Sequence, residues 1–82
     1  FTRKDYIDRE LILFKISIDE KNKPKVVSIL EKNNAKILHE GSKRLTAEYA
    51  GDGEHILKLL EHLKPFKLND VVRTGKIAMA LE

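Results

Sequence analysis

The spacing of apolar residues changes along this chain between two periods, and the order of the changes constrains the fold more than any other feature. Residues 11–18 alternate between apolar positions and polar or mixed ones, which is the pattern of a strand. Apolar residues within 26–30 recur at helical spacing, and this helix can begin at Pro24 with Asn22 or Lys23 as its cap. Two alternating segments follow on either side of residues 41–43, whose length and composition are typical of a hairpin connection. The first half therefore predicts strand, helix, strand, strand.

The second half predicts a helix and then one or two strands. Asp52 offers an N-cap oxygen, and Pro65 ends the helix. The apolar positions between them recur at helical spacing: Ile56, Leu59, Leu60 and Leu63. Residues 66–74 predict a last long strand, and the alternation beyond Gly75 predicts either its extension or a fifth strand.

The element order βαββαβ predicts an α+β fold of the ferredoxin-like plait type. In this plait a four-stranded antiparallel sheet carries both helices on one face, with a possible extra C-terminal strand here. Residues 1–8 are polar and aperiodic and are interpreted as a lead-in or the remnant of a linker, so the domain spans residues 9–82. Because the chain begins at Phe1 and not at a methionine, we expect a processed protein or a piece of a longer one.

The second face of such a sheet has no helix to cover it. Leu11 and Leu13 point to that face from a strand predicted to be central. An exposed apolar face predicts an interface, here a homodimer or higher oligomer through the open sheet face. The alternative is that a side chain or the C-terminal tail covers the two leucines.

No catalytic, metal or cofactor site is predicted. The absence of cysteine excludes a disulfide scaffold, a thiolate zinc site and a cysteine nucleophile. No two of His39, His55 and His62 have the i, i+4 spacing of a helical metal pair, and no serine falls in a strained turn beside a base.

Nucleic-acid and membrane partners are not predicted either. The net charge is +3, and basic residues alternate with acidic ones along most of the chain. At most one aromatic side chain could face the open sheet surface, where RNA-binding plaits stack bases. The longest apolar run, residues 11–14, is far shorter than the ~20 residues that span a bilayer. Because the chain also has no cysteine, a cytoplasmic protein is expected.

Two segments resemble a known family. Residues 9–16, which read Arg-Glu-Leu-Ile-Leu-Phe-Lys-Ile, resemble the opening of the C-terminal domain of the acetolactate synthase (acetohydroxyacid synthase) small regulatory subunit. Residues 63–79 resemble the closing signature of that domain, with Arg73, Thr74 and Gly75 as its most distinctive triplet. Residues 35–38 and 45–52 follow the pattern too, so the likeness spans about residues 9–81.

The resemblance implies a βαββαβ domain that follows an N-terminal ACT domain in family members. The inhibitor-binding ACT half is not part of this sequence, so no inhibitor-binding residue is transferred to it. The resemblance implies that thiamine diphosphate, magnesium and FAD belong to the catalytic subunit and that this chain holds no cofactor. Two features depart from the family pattern: His39 stands where an aspartate is common, and the first helix contains Pro24 and ends in two asparagines.

The resulting hypothesis is a noncatalytic regulatory module that binds and activates the catalytic (large) subunit of acetolactate synthase in branched-chain amino acid biosynthesis. The predicted partner-interface residues are Arg9, Glu10, Leu11, Leu13, Arg73, Thr74 and Gly75. Structural roles are an equal alternative, in which Arg73 pairs with Glu10 and Gly75 serves a bulge or a positive φ. A second hypothesis is a self-associating ACT-like amino-acid sensor that binds its ligand near residues 51–53.

Overall fold

The computed structural model describes the backbone of residues 6–81 and the side chains from residue 7 onward. Within this part of the chain the elements are β1 (Tyr6–Ser17), α1 (Lys23–Lys32), β2 (Lys36–Glu40), β3 (Arg44–Gly51), α2 (Gly53–His62), β4 (Leu68–Arg73) and β5 (Ile77–Ala80). The predicted order is confirmed, and the C-terminal tail is a fifth strand. Residues 6–8, which the sequence assigned to the lead-in, already belong to β1, because β5 supplies their backbone partners. The rest of the predicted lead-in, residues 1–5, lies outside the described residues.

The sheet has the order β2-β3-β1-β4 with antiparallel neighbours, which confirms the ferredoxin-like plait. β1 is 12 residues long, and its N-terminal part extends beyond β3. Glu10 is the most N-terminal residue of β1 that pairs with β3. Its first residues, Tyr6 to Arg9, pair instead with β5. This two-stranded segment, the β1–β5 ribbon, lengthens a molecule that measures 48 Å by 18 Å by 16 Å.

The hydrophobic core lies between the sheet and the two helices. Ile12, Phe14 and Ile16 face it from β1, so the predicted alternation of this strand is confirmed. The other core residues are Ile18, Val26, Leu30, Leu45, Ala47, Ile56, Leu59 and Leu63. The apolar positions spaced three and four apart in each helix are those that the sheet covers.

The two helices begin differently. The Asp52 carboxylate accepts a hydrogen bond from the His55 amide at 2.9 Å, which confirms the predicted cap of α2. Asn22 occupies the N-cap position of α1 but does not cap it, because its carboxamide oxygen accepts the Asp19 amide at 2.7 Å. Pro24 lies in the first turn of α1, where no hydrogen bond needs its missing N–H.

A substitution at Leu45 tests the assignment of the core. We expect Leu45→Ala to lower the free energy of unfolding by about 2–5 kcal/mol, because a fully buried side chain leaves a cavity in a tightly packed interior. Leu57→Ala is the control: this leucine lies in α2 with 61% of its surface exposed, and its loss should cost less than about 0.5 kcal/mol. Urea denaturation followed by circular dichroism measures both, and equal losses would contradict the assignment.

Candidate functional site

A bulge joins β4 to β5. Arg73 lies opposite Ile12, and Ile77 lies opposite Arg9, so three residues on one side face two residues of β1 on the other. Gly75 in this bulge has a φ of 86°, a conformation that a residue with a Cβ adopts only with strain. The positive φ considered from the sequence is therefore confirmed.

Thr74 fastens the bulge to β1. The Leu11 amide donates a hydrogen bond to the Thr74 hydroxyl at 3.1 Å, and the Thr74 amide donates to the Leu11 carbonyl at 3.0 Å. The hydroxyl in turn donates to the Gly75 carbonyl at 3.1 Å. A side-chain oxygen thus stands in for a backbone acceptor where the regular ladder is interrupted.

An ion pair between Glu10 and Arg73 crosses the two strands beside the bulge. The Arg73 Nε donates to Glu10 Oε2 at 2.9 Å, and Nη2 donates to Oε1 at 2.7 Å. Only 8% of Glu10 is exposed, so this bidentate contact satisfies a carboxylate that water scarcely reaches. The hydrogen bonds and charge of Arg73 lower the pKa of Glu10, while the carboxylate raises the pKa of Arg73.

A groove of about 530 Å³ lies between the ribbon, the bulge and the start of α2. At one side of it, the Asp8 carboxylate accepts the Gly53 amide at 3.4 Å and lies 3.6 Å from the Lys76 ammonium. The groove carries both signs of charge, with acidic groups such as Glu54 and basic groups such as Arg9 on its walls. It could therefore accommodate a ligand with both charges.

The opposite face of the ribbon is apolar. Met79 lies opposite Ile7, with 77% and 47% of their surfaces exposed, and Ile77 next to them is 70% exposed. The same face continues along the sheet as Leu11 and the cross-strand pair of Leu13 and Val72. We call this set the apolar stripe: Ile7, Leu11, Leu13, Val72, Ile77 and Met79. It is an uncovered surface in the part of the chain that the structure describes.

The structure brings all seven predicted interface residues to one region, the junction of β1 with β4 and β5. Leu11 and Leu13 belong to the apolar stripe, and Arg9, the register partner of Ile77, lines the groove. Glu10 and Arg73 neutralise each other. Thr74 and Gly75 form the bulge.

Sequence reasoning missed the other members of the stripe. The alternation of Ile77 and Met79 was visible, but only their pairing with β1 shows that they share a face with Leu11 and Leu13. Within residues 6–81 no cluster of three or more potential metal ligands occurs. The helices of this same part of the chain are too short and too polar to cross a bilayer.

The Glu10 ion pair predicts a pH dependence of stability. Because folding lowers the pKa of Glu10 from its usual 4.5, the pair stabilises the fold fully above that value and loses its effect as the pH falls through the folded-state pKa. We expect the stability advantage of the natural protein over Glu10→Gln to be largest near neutral pH and to shrink in acid. Urea denaturation between pH 7 and pH ~3 measures it.

Glu61→Gln, a change at an exposed position of α2, is the matched control and should not reproduce this dependence. A difference between the natural protein and Glu10→Gln that stays constant with pH would contradict the prediction.

Comparisons with known proteins agree with this fold. The chain is 33% identical to acetolactate synthase small subunit 1 of Nicotiana plumbaginifolia over 81 residues, which are 99% of this chain and 18% of that protein. It is also 33% identical to the acetolactate synthase small subunit of Aquifex aeolicus over 78 residues, 94% of this chain and 41% of the relative.

A crystal structure of the acetolactate synthase small subunit from Thermotoga maritima superimposes with a TM-score of 0.87 at 22% identity, over 95% of this chain and 48% of that one. This likeness confirms the fold. The chain spans less than half the length of each of these three proteins. Residues 9–82 match the family described as the small subunit of acetolactate synthase, and the chain therefore belongs to that family.

Proposed function

We propose that this chain is a noncatalytic regulatory module that binds the catalytic subunit of acetolactate synthase and favours its active conformation. Membership of the small-subunit family supports a role beside that enzyme. In this proposal thiamine diphosphate, magnesium and FAD belong to the catalytic subunit, and this chain contributes only binding energy.

The apolar stripe is the observation that supports binding most directly. Large side chains such as Ile77, Met79 and Val72 are more than 60% exposed on one continuous face. Apolar surface in water is unfavourable, and its burial against a partner releases about 25 cal/mol for each Å² removed from water. The proposed partner therefore presents a complementary apolar surface.

In this proposal the predicted interface residues at the bulge also hold the stripe in place. Glu10 and Arg73 use their hydrogen bonds on each other, and Thr74 uses its own on Leu11 and Gly75. Together they set the direction in which the ribbon leaves the sheet. A surface that is ordered before binding loses little conformational entropy on binding.

Activation also requires that the module bind the active state more tightly than the inactive one. A difference of about 1–3 kcal/mol would change activity severalfold or more. Arg73→Ala is a poor test of this contact, because it would also leave the nearly buried Glu10 without its partner.

Two exposed residues of the stripe give a better test. We expect the double variant Ile77→Thr/Met79→Thr to weaken co-elution with the catalytic subunit and activation of acetolactate formation by about tenfold, because two apolar contacts worth about 1 kcal/mol or more are lost. Threonine keeps the preference for a strand, so the fold should survive. Size-exclusion chromatography and enzyme assay measure the two effects.

The control is Leu57→Gln, which removes an exposed leucine from α2 on the other side of the sheet. It should leave binding and activation unchanged. Full activation by the Ile77/Met79 variant would rule out the stripe as the contact, and a lack of both binding and activation by the natural chain would end the proposal.

The same stripe also supports self-association, so a homodimer or higher oligomer through the open sheet face is proposed as a second use of it. The groove beside residues 51–53 favours the related alternative, a self-associating ACT-like amino-acid sensor, since its walls offer charges for both the carboxylate and the ammonium of an amino acid.

Sensing and activation can be separated with the isolated chain. If the chain is a sensor, valine alone should raise its melting temperature in a concentration-dependent way, because a ligand that binds only the folded state stabilises it. Sedimentation equilibrium over a range of protein concentrations reports self-association in the same samples. No shift with valine, leucine or isoleucine would exclude the sensor without affecting the activation proposal.

A further inference from the structure

A basic cluster surrounds a second concavity at the hairpin end of the sheet. The concavity has a volume of about 310 Å³. Lys15, His39, Lys43 and Arg44 line it, and we call these four residues the hairpin cluster. It lies at the end of the sheet opposite the ribbon.

Three members of the cluster come from different strands that the sheet places side by side: Lys15 from β1, His39 from β2 and Arg44 from β3. Thr46 of β3 is the cross-strand partner of both His39 in β2 and Lys15 in β1, so the three form one row. Since Lys15 alternates with the buried Phe14 and Ile16, the row lies on the face that has no helices.

Backbone hydrogen bonds hold the end of the hairpin loop and the start of β3, which carry Lys43 and Arg44. The Gly41 amide donates to the Arg44 carbonyl at 2.8 Å, and the Ile18 amide donates to the Lys43 carbonyl at 2.9 Å. A Cβ on Gly41 would lie 3.0 Å from the Arg44 carbonyl oxygen, so glycine permits the close approach in this turn. The positive groups thus surround an ordered concavity.

The described residues that line this concavity include no acidic one, which distinguishes it from the groove at the ribbon. Two ion pairs among the described residues, Arg73 with Glu10 and Lys76 with Asp8, lie at the other end of the molecule. Asp70 is the cross-strand partner of Lys15, but the ion pairs of the described residues do not include one between them. Three permanent positive charges close together repel one another, and a bound anion would relieve that repulsion.

We propose that the hairpin cluster binds an oxyanion, namely the phosphate group of a small phosphorylated molecule. The Arg44 guanidinium can donate in parallel to two phosphate oxygens, and the ammonium groups of Lys15 and Lys43 add charge. The hydroxyls of Ser42 and Thr46 at the same concavity supply neutral donors. This site is separate from the apolar stripe and does not depend on the proposed regulatory function.

The test is an NMR titration of the ¹⁵N-labelled chain with inorganic phosphate and with pyrophosphate at constant ionic strength. We expect saturable shifts confined to the amides of residues 41–46, Lys15 and His39, with pyrophosphate binding more tightly because it carries more charge. The variant Lys43→Gln/Arg44→Gln should raise Kd about tenfold. Both side chains are exposed, so the fold should be unaffected.

Lys58→Gln/Lys64→Gln, which removes the same charge from exposed positions in and after α2, is the matched control and should leave Kd unchanged. Shifts that do not saturate, or a loss of affinity that the control variant shares, would overturn the proposal, because they indicate general screening of charge. If phosphate does not bind while the Lys43/Arg44 variant weakens association with the catalytic subunit, the cluster contacts an acidic protein surface and the phosphate site is wrong.

Discussion

The backbone pairing of one strand, β1, holds this molecule together. Over its 12 residues it pairs with β3, β4 and β5, while its inward side chains Ile12, Phe14 and Ile16 form the centre of the core. Every other strand except β2 is anchored on it. A small domain buries a modest share of its surface, so a strand that joins three neighbours and fills the core is the element on which folding most depends.

The bulge interrupts the pairing of β1 and divides this strand into two parts. One part lies in the four-stranded sheet with β3 and β4, and the other forms the exposed ribbon with β5. Gly75 supplies the left-handed φ that the turn requires, and Thr74 restores the hydrogen bonds that the turn breaks. The contact of Arg73 with Glu10 neutralises a charge that is nearly buried there. Beyond the bulge, the apolar residues on the face of the ribbon away from α2 stay in contact with water. The physical organisation of this end therefore suits a docking element.

The open sheet face changes character from one end to the other. Ile77 and Met79 make the ribbon end apolar, whereas Lys43 and Arg44 make the hairpin end basic. Apolar burial is non-directional and supplies affinity, while unpaired charges select for an anion. The two proposals thus rest on different forces at different places, and the failure of one leaves the other standing.

From the sequence alone, the two periods of apolar residues determined the βαββαβ order, the inward face of β1 and the cap of α2, because these follow from local geometry. The family resemblance and its most distinctive triplet, residues 73–75, were also visible in the sequence. Tertiary structure decided which residues 73–75 contact, that residues 6–8 form a strand, and that Ile77 and Met79 share a face with Leu13. It also decided that lysines and arginine scattered among acids in the chain meet at one concavity. These features depend on the register between distant strands, and local periodicity carries no information about which residue lies opposite which.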